Sequence, residues 1–289
     1  MGIIEDVSVI MISSLAIGSI YALMALGLSM LWSTLNLINF AHGSLMMLGA
    51  YIFVYILMST NNLLLALLAI PIMFLIGMAT YKTVFEKTSR MEDFLLRNAL
   101  ITLVLGAMIE QLINIYFGGT YMKIPEFVSG YIFIGSLRIA SQYIAITFIS
   151  LGLLFLLYLI IFHTKYGLAI RAVGQDLQES LLCGLNIRNI YSVTVGIGFV
   201  LASIAGILLG SIYIFNPVSG RIPLLISYII VIFGGVGSFM GTLVASYIIA
   251  LLYVSSSYYI GGSWSLFIAY LMMLLILTIR PYGIFGGRR

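Results

Sequence analysis

Residues 7–31, VSVIMISSLAIGSIYALMALGLSML, run for 25 positions without a charged side chain. About 20 predominantly apolar residues in a helix cross the roughly 30 Å hydrocarbon layer of a bilayer. Charge stays absent well beyond that length: none occurs between Val7 and Tyr81, a stretch of 75 residues. Two polar interruptions divide it, Trp32 to Gly43 with Asn36, Asn39 and His42, and Ser59 to Asn62. Spans are therefore expected near 7–31, 44–58 and 62–81.

The rest of the chain follows the same pattern. Of 289 residues 62% are apolar and 8% charged, against about 45–50% and about 25% in soluble domains. A soluble globular fold is excluded. Further spans are expected near 98–117, 139–162, 191–214, 223–233, 239–255 and 264–279. The expected fold class is an all-α polytopic transmembrane bundle of about eight or nine spans, one domain over 1–289. The pieces at 44–58 and 223–233 are short, which suits tilted, half-inserted or broken helices facing protein or a cavity. The opening Met1-Gly2-Ile3-Ile4-Glu5-Asp6 lacks the basic start of a cleaved signal, so the first apolar segment is expected to stay as a helix.

Lys and Arg near span ends favour the cytoplasmic side. One set of alternate loops holds Lys82, Lys87, Arg90, Arg97, Lys165, Arg171, Arg188, Arg280, Arg288 and Arg289, and the other only Lys123, Arg138 and Arg221. This places 82–97, 163–190 and the carboxyl-terminal tail inside and 118–138 outside, and requires 223–255 to make two passes. The net charge of +4 thus follows orientation and gives no case for nucleic-acid binding. The single cysteine, Cys183, excludes an internal disulfide and a cysteine-based metal cluster.

The inner loop 163–190 holds an amphipathic segment. Ile170, Val173, Leu177 and Leu181 fall on one helical face, Arg171, Gln175, Gln178 and Glu179 on the other, and Gly184 stands where a helix-terminating glycine belongs. Such a helix can rest on lipid headgroups or insert into a soluble partner.

The segment Tyr166 to Gly206 resembles the cytoplasmic coupling loop and following helix of binding-protein-dependent ABC importer permeases of the branched-chain amino acid type. The matching residues are Gly167, Arg171-Ala172-Val173, Asp176, Gly184 and Ala202-Ser203-Ile204-Ala205-Gly206. The run from Gly27 through Asn39-Phe40-Ala41-His42-Gly43 to Gly49-Ala50-Tyr51 is similar to the first of that transporter's two permeases. Gly234-Gly235-Val236-Gly237-Ser238 and Arg280-Pro281-Tyr282-Gly283-Ile284-Phe285-Gly286 agree as well. The resemblance implies a second permease subunit, two cytoplasmic ATPases and an extracytoplasmic solute-binding protein as partners, with branched-chain or related amino acids as substrate. It also implies that 163–190 transmits the ATPase motion, with Arg171, Asp176 and Glu179 as polar contacts and Val173, Leu177 and Leu181 as the packing edge. The chain has no Gly-x-x-x-x-Gly-Lys-Ser/Thr phosphate loop, so ATP is expected on partner subunits and no cofactor on this chain.

Small residues recur every four positions at Gly198, Ala202, Gly206 and Gly210, and again at Gly237, Gly241 and Ala245. They permit close helix approach, within the subunit or at a moving interface. Gly235, Gly237 and Ser238 make either a turn between two passes or a half-helix start facing an anion. Glu110 is the acid inside an expected span, where it either ties helices together or lines the substrate route together with Asn36, Asn39 and His42. Likenesses between 15–28 and 195–208, and between 43–46 and 237–240, hint at an internal duplication, but the first pair is antiparallel and the second parallel. An ion-coupled transporter or channel would carry more ionisable residues in its spans. A membrane enzyme would need a catalytic constellation, and no His-Glu-x-x-His or Gly-x-Ser-x-Gly occurs.

Overall fold

Polar residues at the apolar boundaries set where each helix starts and stops. In the computed structural model, which describes residues 3–88, 94–134 and 137–286, α1 (Ile3–Leu35) is followed by an extended segment and α2 (His42–Thr60). Asn61, left-handed at φ 50°, ends α2, and the Asn62 side chain accepts from Leu64 N to begin α3 (Leu63–Ala66). The same span continues through α4 (Ala69–Thr80), a π-helical turn (Tyr81–Phe85) and α5 (Glu86–Thr88). Then come α6 (Phe94–Phe117), a hairpin of β1 (Tyr131–Ile134) and β2 (Leu137–Ala140), and α7 (Ser141–His163). Thr164 caps α8 (Lys165–Gln175), Asp176 caps α9 (Leu177–Leu182) and Asn186 caps α10 (Ile187–Ile212). The chain ends with α11 (Arg221–Gly234), α12 (Phe239–Tyr259) and α13 (Gly262–Ile279).

Eight of these segments are long and apolar enough to span a membrane, and α11, with 14 residues, is the short ninth. The all-α polytopic fold is as the apolar runs imply. The side on which α1 begins, which the nearly uncharged first loops leave undecided, is set by a hydrogen bond: Tyr258 Oη at the outer end of α12 donates to Asp6 at 2.6 Å. The start of α1 is therefore outside. At the opposite end Arg188 and Glu86 form an ion pair at 2.9 Å, which joins the two basic inner loops. Arg90, Arg288 and Arg289 lie outside the described residues.

Helices α1 and α10 form the centre. Ile20, Leu23, Met24, Leu26 and Leu31 of α1 and Phe199, Ala202 and Ala205 of α10 are almost wholly buried, as expected of helices apolar on all sides and surrounded by others. Gly198 packs against the Leu31 side chain, Gly206 against the Met46 carbonyl of α2, and Gly210 against Phe215. The outer helices α6 and α13 instead turn leucines such as Leu100, Leu112, Leu271 and Leu274 outward. Two units share one design: α1 runs into an extended segment and α2, which at 19 residues is longer than the short piece expected near 44–58, and α10 runs into residues 213–220 and short α11. The counterpart of 43–46 in this scheme is the start of α11, not 237–240.

Candidate functional site: the broken helices and the inner helix pair

The extended segment 36–41 carries the chain from the inner end of α1 back into the bundle. Asn36 takes φ 52°, a left-handed conformation that asparagine tolerates, and its amide donates to Trp32 O at 3.0 Å. Thr102 of α6 holds the segment in place: its hydroxyl accepts from Phe40 N at 3.1 Å and donates to Ile38 O at 3.2 Å. Asn39 is fully buried, and its Oδ1 accepts from Ala41 N at 3.0 Å. His42 is also fully buried, with Nε2 3.2 Å from Met24 O. A carbonyl can only accept, so Nε2 carries the proton. Asn39 thus satisfies backbone at the break and His42 ties the start of α2 to the middle of α1, and the exposed part of the break is Asn36 and Phe40.

The starts of α2 and α11 meet face to face. A Cβ on Gly43 would strike the Gly220 carbonyl, and one on Gly220 would strike the Gly43 carbonyl, so both positions require glycine for this approach. Two helix amino termini, each a partial positive charge, come together here within the bundle. Glu110 of α6 stands beside them. It is 8% exposed, and its Oε1 accepts from Ser44 Oγ at 3.1 Å and from Arg221 Nε at 3.2 Å, while Oε2 accepts from Arg221 Nη2 at 2.5 Å. Glu110 therefore ties α2, α6 and α11 together. Arg221 does not sit in an outer loop as its position after the sixth span suggested. Glu110 precedes the outer end of α6 by seven residues, about 10 Å at 1.5 Å per residue, and Arg221 is paired to it at that depth. A cavity of about 380 Å³ opens beside the pair, lined also by Phe40, Gly106, Leu224 and Leu225.

A second cavity, about 680 Å³, opens at the inner end between Trp32, Asn36, Gln175, Ile232, Ser238 and Phe285. It brings together the end of α1, the inner loop, the glycine turn and the tail. Gly235 at φ 100° and Gly237 at φ 82° reverse the chain between α11 and α12, and Ser238 caps α12 by accepting from Gly241 N. Gly237 N donates to Ser29 Oγ of α1 at 3.1 Å. The run is thus a turn between two passes on the inner side, with the tail packed on Gly235.

The amphipathic segment is two helices, not one. Asp176 is extended, with φ −148°, and its Oδ1 accepts from Gln178 N at 2.8 Å and Glu179 N at 3.0 Å. An acid expected to contact a partner therefore caps α9. The break also divides the apolar face. Ile170 and Val173 of α8 are buried in the subunit, whereas Leu177, Leu181 and Leu182 of α9 are open, Leu182 at 88%. Val173 leaves the outward edge and Leu182 joins it. Gly167 is pressed against the Ile160 and Ile161 carbonyls where α7 turns into α8. Arg171 lies 4.9 Å from the Phe162 ring, a cation–π contact, and Glu179 is exposed. Gly184 at φ 75° ends α9: its amide donates to Leu181 O and that of Leu185 to Ser180 O, the paired bonds of a Schellman motif.

The chain is 26% identical to the high-affinity branched-chain amino acid transport system permease protein LivH of Salmonella typhimurium, over 96% of this chain and 94% of that protein. It is 29% identical, with the same coverage, to the permease protein BraD of Pseudomonas aeruginosa. A probable LivH of Methanocaldococcus jannaschii is 26% identical over 93% of this chain and 89% of its own length. Residues 10–277 match the family model described as branched-chain amino acid transport system / permease component. With that match over most of its length and, among the described residues, eight segments able to cross a bilayer, the chain belongs to the branched-chain amino acid transport system permease family, multi-pass proteins of the cell membrane.

Proposed function

We propose that this chain is the membrane-spanning permease subunit of an ATP-driven, binding-protein-dependent importer of branched-chain or related amino acids. It works with a second permease subunit, two cytoplasmic ATP-binding subunits and an extracytoplasmic solute-binding protein. The observation that carries the reading is α9. Six residues, capped at both ends, present Leu177, Leu181 and Leu182 at the inner end of the bundle. An apolar edge of this kind on a short rigid lever suits insertion into a soluble partner whose movement must be passed to the spans. Arg171 and Glu179 flank that edge, and Gly167 and Gly184 set its angle to α7 and α10. ATP is bound and hydrolysed on the partner subunits, and this chain carries no cofactor.

Passage of substrate runs past the broken helices. Glu110 marks the outer half of that route, and Asn36, Gly237 and Ser238 the inner cavity. Asn39, His42 and Gly235 shape its walls through the backbone, and the small-residue face of Gly198, Ala202, Gly206 and Gly210 lets α10 shift against α1 and α2. The test is leucine uptake into proteoliposomes holding the complete complex and its binding protein, with and without ATP. ATP-dependent uptake is expected, and uptake driven by an ion gradient without ATPase subunits would overturn the reading.

A further inference from the structure

Arg221 is two-thirds exposed in its side chain, yet it is paired with a carboxylate that lies about 10 Å in from the outer end of α6. A guanidinium at such depth does not face hydrocarbon; charged side chains there face the bundle interior or a water-filled cavity. The two partners are unequally held. Glu110 is nearly enclosed, and its Oε1 also accepts from Ser44 Oγ at 3.1 Å. Arg221 stands at the first position of α11 and carries its guanidinium on a long flexible stem. The cavity beside them has a mixed lining: one cation and one anion together with Phe40, Leu103, Leu224 and Leu225. Its volume of about 380 Å³ lies within the range of small-molecule sites.

We infer that the Arg221–Glu110 pair is a binding station for a zwitterionic α-amino acid with an aliphatic side chain, which opens by exchange of partners. The substrate carboxylate takes the Arg221 fork, the substrate ammonium takes Glu110, and the aliphatic group lies against Phe40, Leu224 and Leu225. Each charge trades one opposite partner for another, so no unpaired charge is left at membrane depth at any stage. When the substrate leaves, Arg221 returns to Glu110 and the station closes. Ser44 is the positioning residue that holds the carboxylate in place during the exchange. The inference rests on the importer reading and names the site at which that substrate class is held.

The experiment uses the complete transporter in a Cys183→Ser background carrying Arg221→Cys. Loss of a charge-assisted bidentate contact lowers leucine uptake about 10- to 100-fold. A membrane-impermeant cationic thiosulfonate added from outside restores a measurable part of it, an anionic one does not, and leucine slows the labelling. The double variant Glu110→Gln with Arg221→Gln separates recognition from structure. It removes both charges together and leaves no unpaired buried charge, so leucine uptake stays as impaired as in either single change. Recovery of uptake in the double variant, or an Arg221→Cys thiol that no external reagent reaches, would overturn the assignment. Labelling and its protection by leucine are read in membranes without ATP, so they stand apart from the importer test. Failure of the Cys183→Ser parent to take up leucine with ATP counts against the importer reading instead.

Discussion

Replacing Asp176 with alanine should loosen α9 and leave the rest of the bundle intact. Isolated helices shorter than about 12–15 residues are marginal in water, and α9 has six. Its start depends on the two bonds that Asp176 Oδ1 accepts, at 2.8 and 3.0 Å. Loss of such a cap costs about 0.5–2 kcal/mol, typically about 1. Through the relation of about 1.4 kcal/mol per tenfold, local opening becomes about 2- to 30-fold more populated, with about fivefold as the central value. Hydrogen exchange read by mass spectrometry should show the Leu177–Leu182 amides exchanging faster by that factor, with the α10 amides unchanged. Asp176→Asn keeps a side-chain acceptor of similar capping strength and should stay within about twofold of the parent. In the importer, the alanine variant should retain less ATPase subunit on purification and the asparagine variant should keep it. Unchanged exchange in the alanine variant, or an asparagine variant as loose as the alanine one, would refute the capping argument and return Asp176 to the role of a charged contact.

Other perturbations separate packing from contact. Gly206→Val places a branched side chain on the Met46 carbonyl, so an overpacking cost of about 1–3 kcal/mol should lower the Tm of the purified permease by several degrees; an unchanged Tm would count against the close α2–α10 approach. Leu181→Asp with Leu182→Asp alters exposed side chains and should leave the Tm unchanged while ATPase co-purification falls; full retention of the ATPase would remove α9 from the docking surface. Gly184 has open space around it but a left-handed backbone, so Gly184→Asn should be tolerated better than Gly184→Val in hydrogen exchange of α9, and a bulky charged residue there should uncouple transport or prevent ATPase assembly, read as uptake and co-purification.

The nine apolar segments were legible because a bilayer imposes both length and composition on whatever crosses it. Even the short segment near 223–233 proved to be α11, since the requirement that the basic tail stay inside demands its extra pass. The division of the inner helix was also present in the sequence but read otherwise: Asp176-Leu177-Gln178-Glu179 has the acid-x-x-Glu spacing of a helix start, placed inside a continuous apolar period. Periodicity alone joins what a cap separates. The Glu110–Arg221 pair could not be found this way, because its members are 111 positions apart and each looks ordinary in its own window. A lone arginine opening an apolar run after a break was the available signal, and its weight depended on knowing that residues 213–220 turn back into the bundle.

The tail sets an order of events during synthesis. Ile284 N donates to Phe233 O at 2.9 Å and Phe285 N to Gly234 O at 3.2 Å, which occupies carbonyls that the end of α11 leaves unmatched. These donors are translated only after α12 and α13, so α11 must wait through two further insertions with its terminal carbonyls unpaired. A nascent chain stopped near residue 280 would already have all of its spans and still present these two backbone acceptors to water at the cytoplasmic face.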